Sequence, residues 1–189
     1  MKDKILFILI FIIGLLFGTI YFNQSTDQNY AQTDITDFTG GDYFHLVYIG
    51  SADCAACNDS LHKEIKVMKD RLREVSKLHD FRLMTTGISV EVNSTRGVEF
   101  LNKSGPYDEI IAGAGWYNLG VDNYIWNKFD GEGAIPQVLI LKNKFHVNAS
   151  TIGIMNIERN DSLLYRLSSY KSIKDFNHNM NSKIEQIFD

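Results

Sequence analysis

The sequence predicts a single α/β domain carried behind one N-terminal transmembrane helix, and three stretches carry that reading. Residues 5–22 form an uncharged apolar run, about as long as the roughly 18–20 residues that cross a bilayer core. Residues 43–49, from Tyr43 to Ile49, make a short aromatic and β-branched run ending at Gly50, the pattern of a buried strand. From Leu61 the apolar positions Ile65, Met68, Leu72, Val75 and Leu78 recur in steps of three and four. That spacing lines one face of a helix and leaves Lys, Glu and Arg on the other.

The chain has 189 residues, room for one ordinary domain plus a targeting segment but not for two catalytic domains. Apolar residues make up 44% and aromatics 12%, which supplies a packed core and lies outside the low-hydrophobicity regime of disorder. A net charge of −4 excludes the basic footprint that phosphate-backbone binding requires, so no nucleic-acid partner is read. Lys2 and Lys4 precede the apolar run, whereas no Lys or Arg and six Asp fall between Asn23 and His62. The positive-inside bias therefore orients the N-terminus to the cytoplasm and the domain outside it, which is the periplasm if the cell is Gram-negative. The organisation read is a cytoplasmic tail at 1–4, a signal anchor at 5–22, a linker at 23–42 and a domain at 43–189. A cleaved signal peptide would have a shorter apolar region and a small-x-small site, and Ala31 keeps that alternative open.

Along the domain, the first strand leads within a few residues to Cys54-Ala55-Ala56-Cys57 and then to the long helix. Residues 81–92 read as a second strand, with Gly87 marking a bend or its end. Asn93 and Ser94 can cap a short helix through Leu101 that Gly105-Pro106 stops. A Gly-interrupted stretch at 110–115 precedes a helix over Val121, Tyr124, Ile125 and Phe129. After a turn at Gly131-Glu132-Gly133, residues 137–141 and 145–149 read as two strands of a hairpin around Lys142-Asn143-Lys144. Amphipathic helices at 161–169 and 173–188 close the chain.

The two cysteines are the only ones present, so they are local chemistry and not the dispersed staples of a secreted scaffold. Two thiols separated by two residues at a helix start point the same way and can close a small disulfide. The partial positive charge of a helix N-terminus favours the thiolate, which makes Cys54 the nucleophile and Cys57 the thiol that resolves a mixed disulfide. Structural zinc takes four ligands and no second Cys pair exists. His62 could join a copper or zinc site with a distant His such as His146, against the plainer reading of a solvated helix-face histidine.

The strand, the run Gly50-Ser51-Ala52-Asp53-Cys54-Ala55-Ala56-Cys57, the long helix and the later Ala134-Ile135-Pro136 opening a strand together resemble the thioredoxin-like superfamily. The resemblance implies a central mixed sheet flanked by helices. It also implies a cis peptide at Pro136 beside the dithiol, and backbone hydrogen bonds from Ile135 to a bound substrate chain. Departures accompany the match. Asp53 stands where Trp precedes the first cysteine in the best-known reductases, Ala55-Ala56 replace Gly-Pro, and Tyr48 occupies the place of a buried acid. Asp53 either caps the helix or, by its charge, disfavours the thiolate. The extra length at 105–130 is similar to the membrane-tethered TlpA-like and ResA-like branches, and Gly113, Gly115, Trp116, Tyr117 and Trp126 there either line a substrate groove or pack in the core.

The expected function is thiol-disulfide exchange on protein cysteines outside the cytoplasm, in the reductive direction of the tethered branches, with cysteine-containing clients, an unknown redox partner and no cofactor. One alternative is a copper-binding or non-catalytic module of the same fold. A peroxiredoxin-type peroxidase is another, for which Ser51 could replace a threonine but Val47 stands where a proline is needed.

Overall fold

The computed structural model describes residues 41–129, 131–149 and 155–188. The anchor read at 5–22, Ala31 and the linker through residue 40 lie outside them. No helix among the described residues is long and apolar enough to cross a membrane. Five strands form one mixed sheet in the order β3-β2-β1-β4-β5. β1 (Gly41–Gly50) begins two residues before the expected domain start and holds the centre. It pairs in parallel with β2 (Arg82–Ser89) and antiparallel with β4 (Gln137–Ala149). β3 (Glu109–Ile111) and β5 (Met155–Leu167) are the edges.

The alternation along β1 sends its side chains to two cores. Phe44, Leu46 and Tyr48 face one way and Val47 and Ile49 the other, all fully buried. The first face is covered by α1 (Asp59–Leu78), α2 (Ser94–Asn102), α4 (Tyr170–His178) and α5 (Met180–Glu185). Leu61, Ile65, Met68 and Leu72 of α1 are wholly buried there, each contributing about 2 kcal/mol of burial energy. The stripe fades at its end, since Leu78 is exposed and Asp80 turns the chain with a left-handed φ of 57°. The second face is covered by residues 111–129, where a 3-10 turn (Gly115–Tyr117) and α3 (Leu119–Val121) run into a π-helical segment (Asp122–Asn127).

Four expectations are corrected. Residues 137–149 are one continuous strand and not a hairpin around Lys142-Asn143-Lys144. Asn143 takes a buried slot on the second face, while Lys142 turns to the opposite side, over the rings of Phe81 and Phe188. The segment at 161–169 is not helical: through Leu167 it belongs to β5, and a register shift against Ile140/Leu141 disturbs its period. Gly87 is neither a bend nor an end. It sits inside β2, where a Cβ would stand 3.0 Å from the Tyr107 ring. The segment read as one helix at 173–188 is two, α4 and α5, parted at Asn179.

A polar chain crosses the second face of the sheet strand by strand. Asn143 Nδ2 lies 3.2 Å from His45 Nδ1, His45 Nε2 lies 2.7 Å from Thr86 Oγ1, and Thr86 donates to Glu109 Oε2 at 3.0 Å. With Thr86 donating onward, His45 carries its proton on Nε2 and accepts from Asn143, so each group has a partner. Burial makes such a network costly to break. His45→Ala removes one buried hydrogen-bond partner from Asn143 and one from Thr86, and the expected loss is about 2 kcal/mol, read as a lowered midpoint in urea unfolding at unchanged m-value.

Candidate functional site

The dithiol lies in the turn between β1 and α1, and neither cysteine is inside the helix. Cys54 N–H donates to Ser51 O at 3.2 Å and Cys57 N–H to Cys54 O at 2.9 Å, so the segment is a closed turn ending at Asn58. Asn58 caps α1 by accepting from the N–H groups of Ser60 (3.1 Å) and Leu61 (3.3 Å). The expectation that the cysteines sit at the first turn of the helix is therefore corrected: α1 begins at Asp59, and its Ser60 and Leu61 N–H groups go to the Asn58 carboxamide. Asp53 is not the cap either. Its carboxylate pairs with the guanidinium of Arg96 from α2.

The two sulfurs occupy different environments. Cys54 is half-buried and its thiol lies 3.7 Å from the carbonyl oxygen of Ile135. Cys57 is 5% exposed, and burial, followed by the hydrogen-bonding Cys54 thiol, pushes its pKa up to about 12. The Ile135–Pro136 peptide is cis, and the strand that follows it starts at Gln137, paired with Ile49 near the end of β1. The sequence-predicted residues Ser51, Asp53, Cys54 and Ile135 all line one cleft of about 670 Å³. Its polar wall also holds Glu91 and Arg96, and its apolar wall Val90, Val92 and Trp116. A second recess of about 450 Å³, on the other flank of the turn, is lined by Cys54, Cys57, Asp59, Phe100 and Lys103 among others.

Comparison with protein-family models, curated proteins and solved structures returns no match. The mixed sheet with flanking helices and the neighbouring Cys54/Cys57 pair are compatible with a thioredoxin-like fold.

Of the residues expected to line a groove in 105–130, the structure brings only Trp116 to the cleft. Gly113, Ala114 and Gly115 take φ of 98°, 57° and 60°, a run of left-handed residues that reverses the chain. Trp126 meets Trp116 at 6.2 Å between ring centroids, and Tyr117 is 94% exposed. His62 is not solvated as read: it is buried against Phe100 and Tyr48, and burial, with Lys103 next, holds its imidazole below its ordinary pKa. Among the described residues no three His, Cys, Asp or Glu side chains are grouped to hold a metal, and the side chain of His146 lies outside those described.

Sequence reasoning missed Glu91. Only 5% exposed, it accepts from Ser51 Oγ at 2.6 Å and from Ala52 N–H at 2.7 Å, and it lies 3.6 Å from Arg96. Ser51 Oγ in turn accepts from Asp53 N–H at 3.1 Å, so one carboxylate fixes the three residues before Cys54. The available signal was a lone acid at the end of a β-rich run, one residue past a position where strand alternation buries the side chain. Glu91→Ala should unfold about 2 kcal/mol more easily in chemical denaturation, from loss of charge-assisted bonds to a buried acceptor. It should also leave the Cys54 turn more susceptible to proteolysis, which limited digestion followed by mass spectrometry reads.

Proposed function

We propose that this chain is a thioredoxin-like thiol-disulfide oxidoreductase acting on protein cysteines, tethered by residues 5–22 with its domain outside the cytoplasm. The observation that carries the reading is the unequal burial of two neighbouring thiols. Cys54 opens on a cleft beside Ile135 of the cis Ile135–Pro136 pair, while Cys57 behind it is almost wholly buried.

That arrangement assigns the steps. Cys54 as thiolate attacks a client disulfide, joining its sulfur to one client sulfur and releasing the other as a thiolate. Cys57 then attacks Cys54, closes the intramolecular disulfide and frees the second client sulfur, so the client gains the two electrons that the dithiol loses. A client chain reaches only the first sulfur, which separates entry from resolution. The carbonyl of Ile135, 3.7 Å from the Cys54 thiol, stands at the place where a client backbone N–H would be received.

The reductive direction is the one that the resemblance to the tethered branches implies. A strong oxidant needs its reduced form stabilised through a low thiol pKa, and Cys57, held up at about 12 by burial, supplies no such stabilisation. The reduction potential of the fragment from residue 41 is expected below about −200 mV, on the reductant side of the known scale. Equilibration with glutathione measures it, and a value near about −120 mV would overturn the direction.

Exchange itself is tested by trapping. Cys57→Ala should accumulate mixed disulfides with cysteine-containing proteins at Cys54, while Cys54→Ser should accumulate none. Non-reducing gels with mass spectrometry read both. Equal adduct levels in the two variants would sink the reading, and a Cys-dependent absorption band on copper titration without adducts would favour a binding module.

A further inference from the structure

We propose that the Tyr48 hydroxyl is the hydrogen-bond donor that holds Cys57 as a thiolate while the mixed disulfide is resolved, an inference that deepens the exchange reading and rests on it. Tyr48 is the third-last residue of β1 and is wholly buried, yet its hydroxyl has no hydrogen-bond partner. Buried polar groups are nearly always matched, so an unmatched one inside a core needs an explanation. The ring is fixed by Phe100 at 6.1 Å and His62 at 6.4 Å between centroids. The hydroxyl lies over the end of the strand, where a Cβ on Gly50 would stand only 2.6 Å away. It is thus placed beneath the point where the chain leaves β1 for the dithiol turn, in the same core cluster as Cys57.

After burial itself, Cys57 is the strongest influence on this hydroxyl, ahead of Tyr107 and Cys54. Tyr107 does not satisfy it, because the Tyr107 hydroxyl is engaged by Ser104 at 2.7 Å. Burial pushes the Tyr48 phenol well above its ordinary pKa, so it stays protonated. In the resting dithiol the hydroxyl faces the Cys57 sulfur, which is only a weak acceptor while it is a thiol. A strong acceptor arises when Cys57 loses its proton, and a neutral donor stabilises that anion without adding a second charge to the core.

The step balances without an added reagent. The Cys57 thiolate attacks Sγ of Cys54 in the mixed disulfide, the Cys54–Cys57 bond forms and the Cys54–client bond breaks, its electron pair leaving on the client sulfur. The proton from Cys57 passes to water in the recess that Cys57 lines, and the client thiolate takes one from water. Tyr48 keeps its own proton throughout. Besides Tyr48, the titratable and charged groups around Cys57 are Cys54 on the turn, with Asp59 on α1 and Lys103 after α2 lining the same recess, while His62 on α1 and Tyr107 before β3 neighbour Tyr48 itself. Tyr48→Phe leaves all of them in place.

The experiment mixes reduced wild type or Tyr48→Phe with a cystine-linked peptide, quenches in acid at millisecond intervals, and counts mixed disulfide and closed protein by mass across a pH series. Formation of the mixed disulfide should be equal in the two proteins. Its resolution should be roughly tenfold slower in Tyr48→Phe, the loss of one hydrogen bond to a charged acceptor. The resolution profile should move up by about one pH unit, because removing a donor to the thiolate raises the Cys57 pKa. Alkylation of Cys57 by iodoacetamide in a Cys54→Ser background should show the same displacement with no client present. Matching thermal unfolding curves certify that the phenylalanine ring keeps the packing. Superimposed resolution and alkylation profiles overturn the donor role while leaving exchange intact. A wild type that forms no mixed disulfide, with displaced alkylation profiles, overturns the exchange reading and with it the role in resolution.

Discussion

The carboxylate of Glu91 is the constraint on which the dithiol turn depends. It stands at the end of β2, next to the β1 terminus from which the turn departs, and accepts from the Ser51 hydroxyl and the Ala52 N–H. Val90 N–H donates to Gly50 O at 3.0 Å just before it, so the sheet itself carries the clamp to the loop. A buried acceptor with charge makes these bonds stronger than neutral ones and makes their loss expensive. The position of Cys54 is thereby inherited from the register of two central strands.

From that position the difference between the sulfurs follows. Cys54 is held at the rim by the clamp, while the turn closed by Cys57 N–H on Cys54 O points the second sulfur into the core shared by Tyr48, Leu61 and Phe100. Burial acts on the two thiols unequally because the turn is only four residues long and one end is already fixed. Arg96 completes the arrangement by facing both Asp53 and Glu91. Its positive charge offsets the two carboxylates beside the dithiol turn.

Much of this was legible in the sequence, because the signals were local and strong. The strand at 43–49, the α1 stripe and the Asn93 cap are patterns of period or capping chemistry that a few neighbouring residues determine. The dithiol and Pro136 were legible as a motif, and the structure brings them together at one end of the sheet, where β1 ends and the antiparallel β4 begins. What escaped depended on partners distant in the chain. Asn143 between two lysines has the composition of a turn, and only its bond to His45, 98 positions away, reveals a strand interior. His62 falls among polar neighbours on α1, yet Phe100 of α2 closes over it. Glu91 acquires meaning only through Ser51, 40 residues earlier. Asn58 was visible as a cap residue in kind, but four residues separate it from Asp53 and local composition did not choose between them.

The cleft walls bear on what a client must offer in the proposed exchange. One side presents Arg96 with its two carboxylates, the other Val92 and Trp116, and Val92 is left 83% exposed. Trp116 reaches the cleft because three successive left-handed residues reverse the chain immediately before it. Two of these are glycines, but Ala114 adopts the same conformation at a cost of about 1 kcal/mol. The reversal sets the Trp116 indole both against the Val121, Tyr124 and Ile125 core and at the edge of the cleft that Cys54 lines. An apolar wall over a polar one favours an extended chain that carries an apolar side chain next to its cysteine, since burying that side chain against Trp116 and Val92 leaves its backbone free to meet the Ile135 carbonyl.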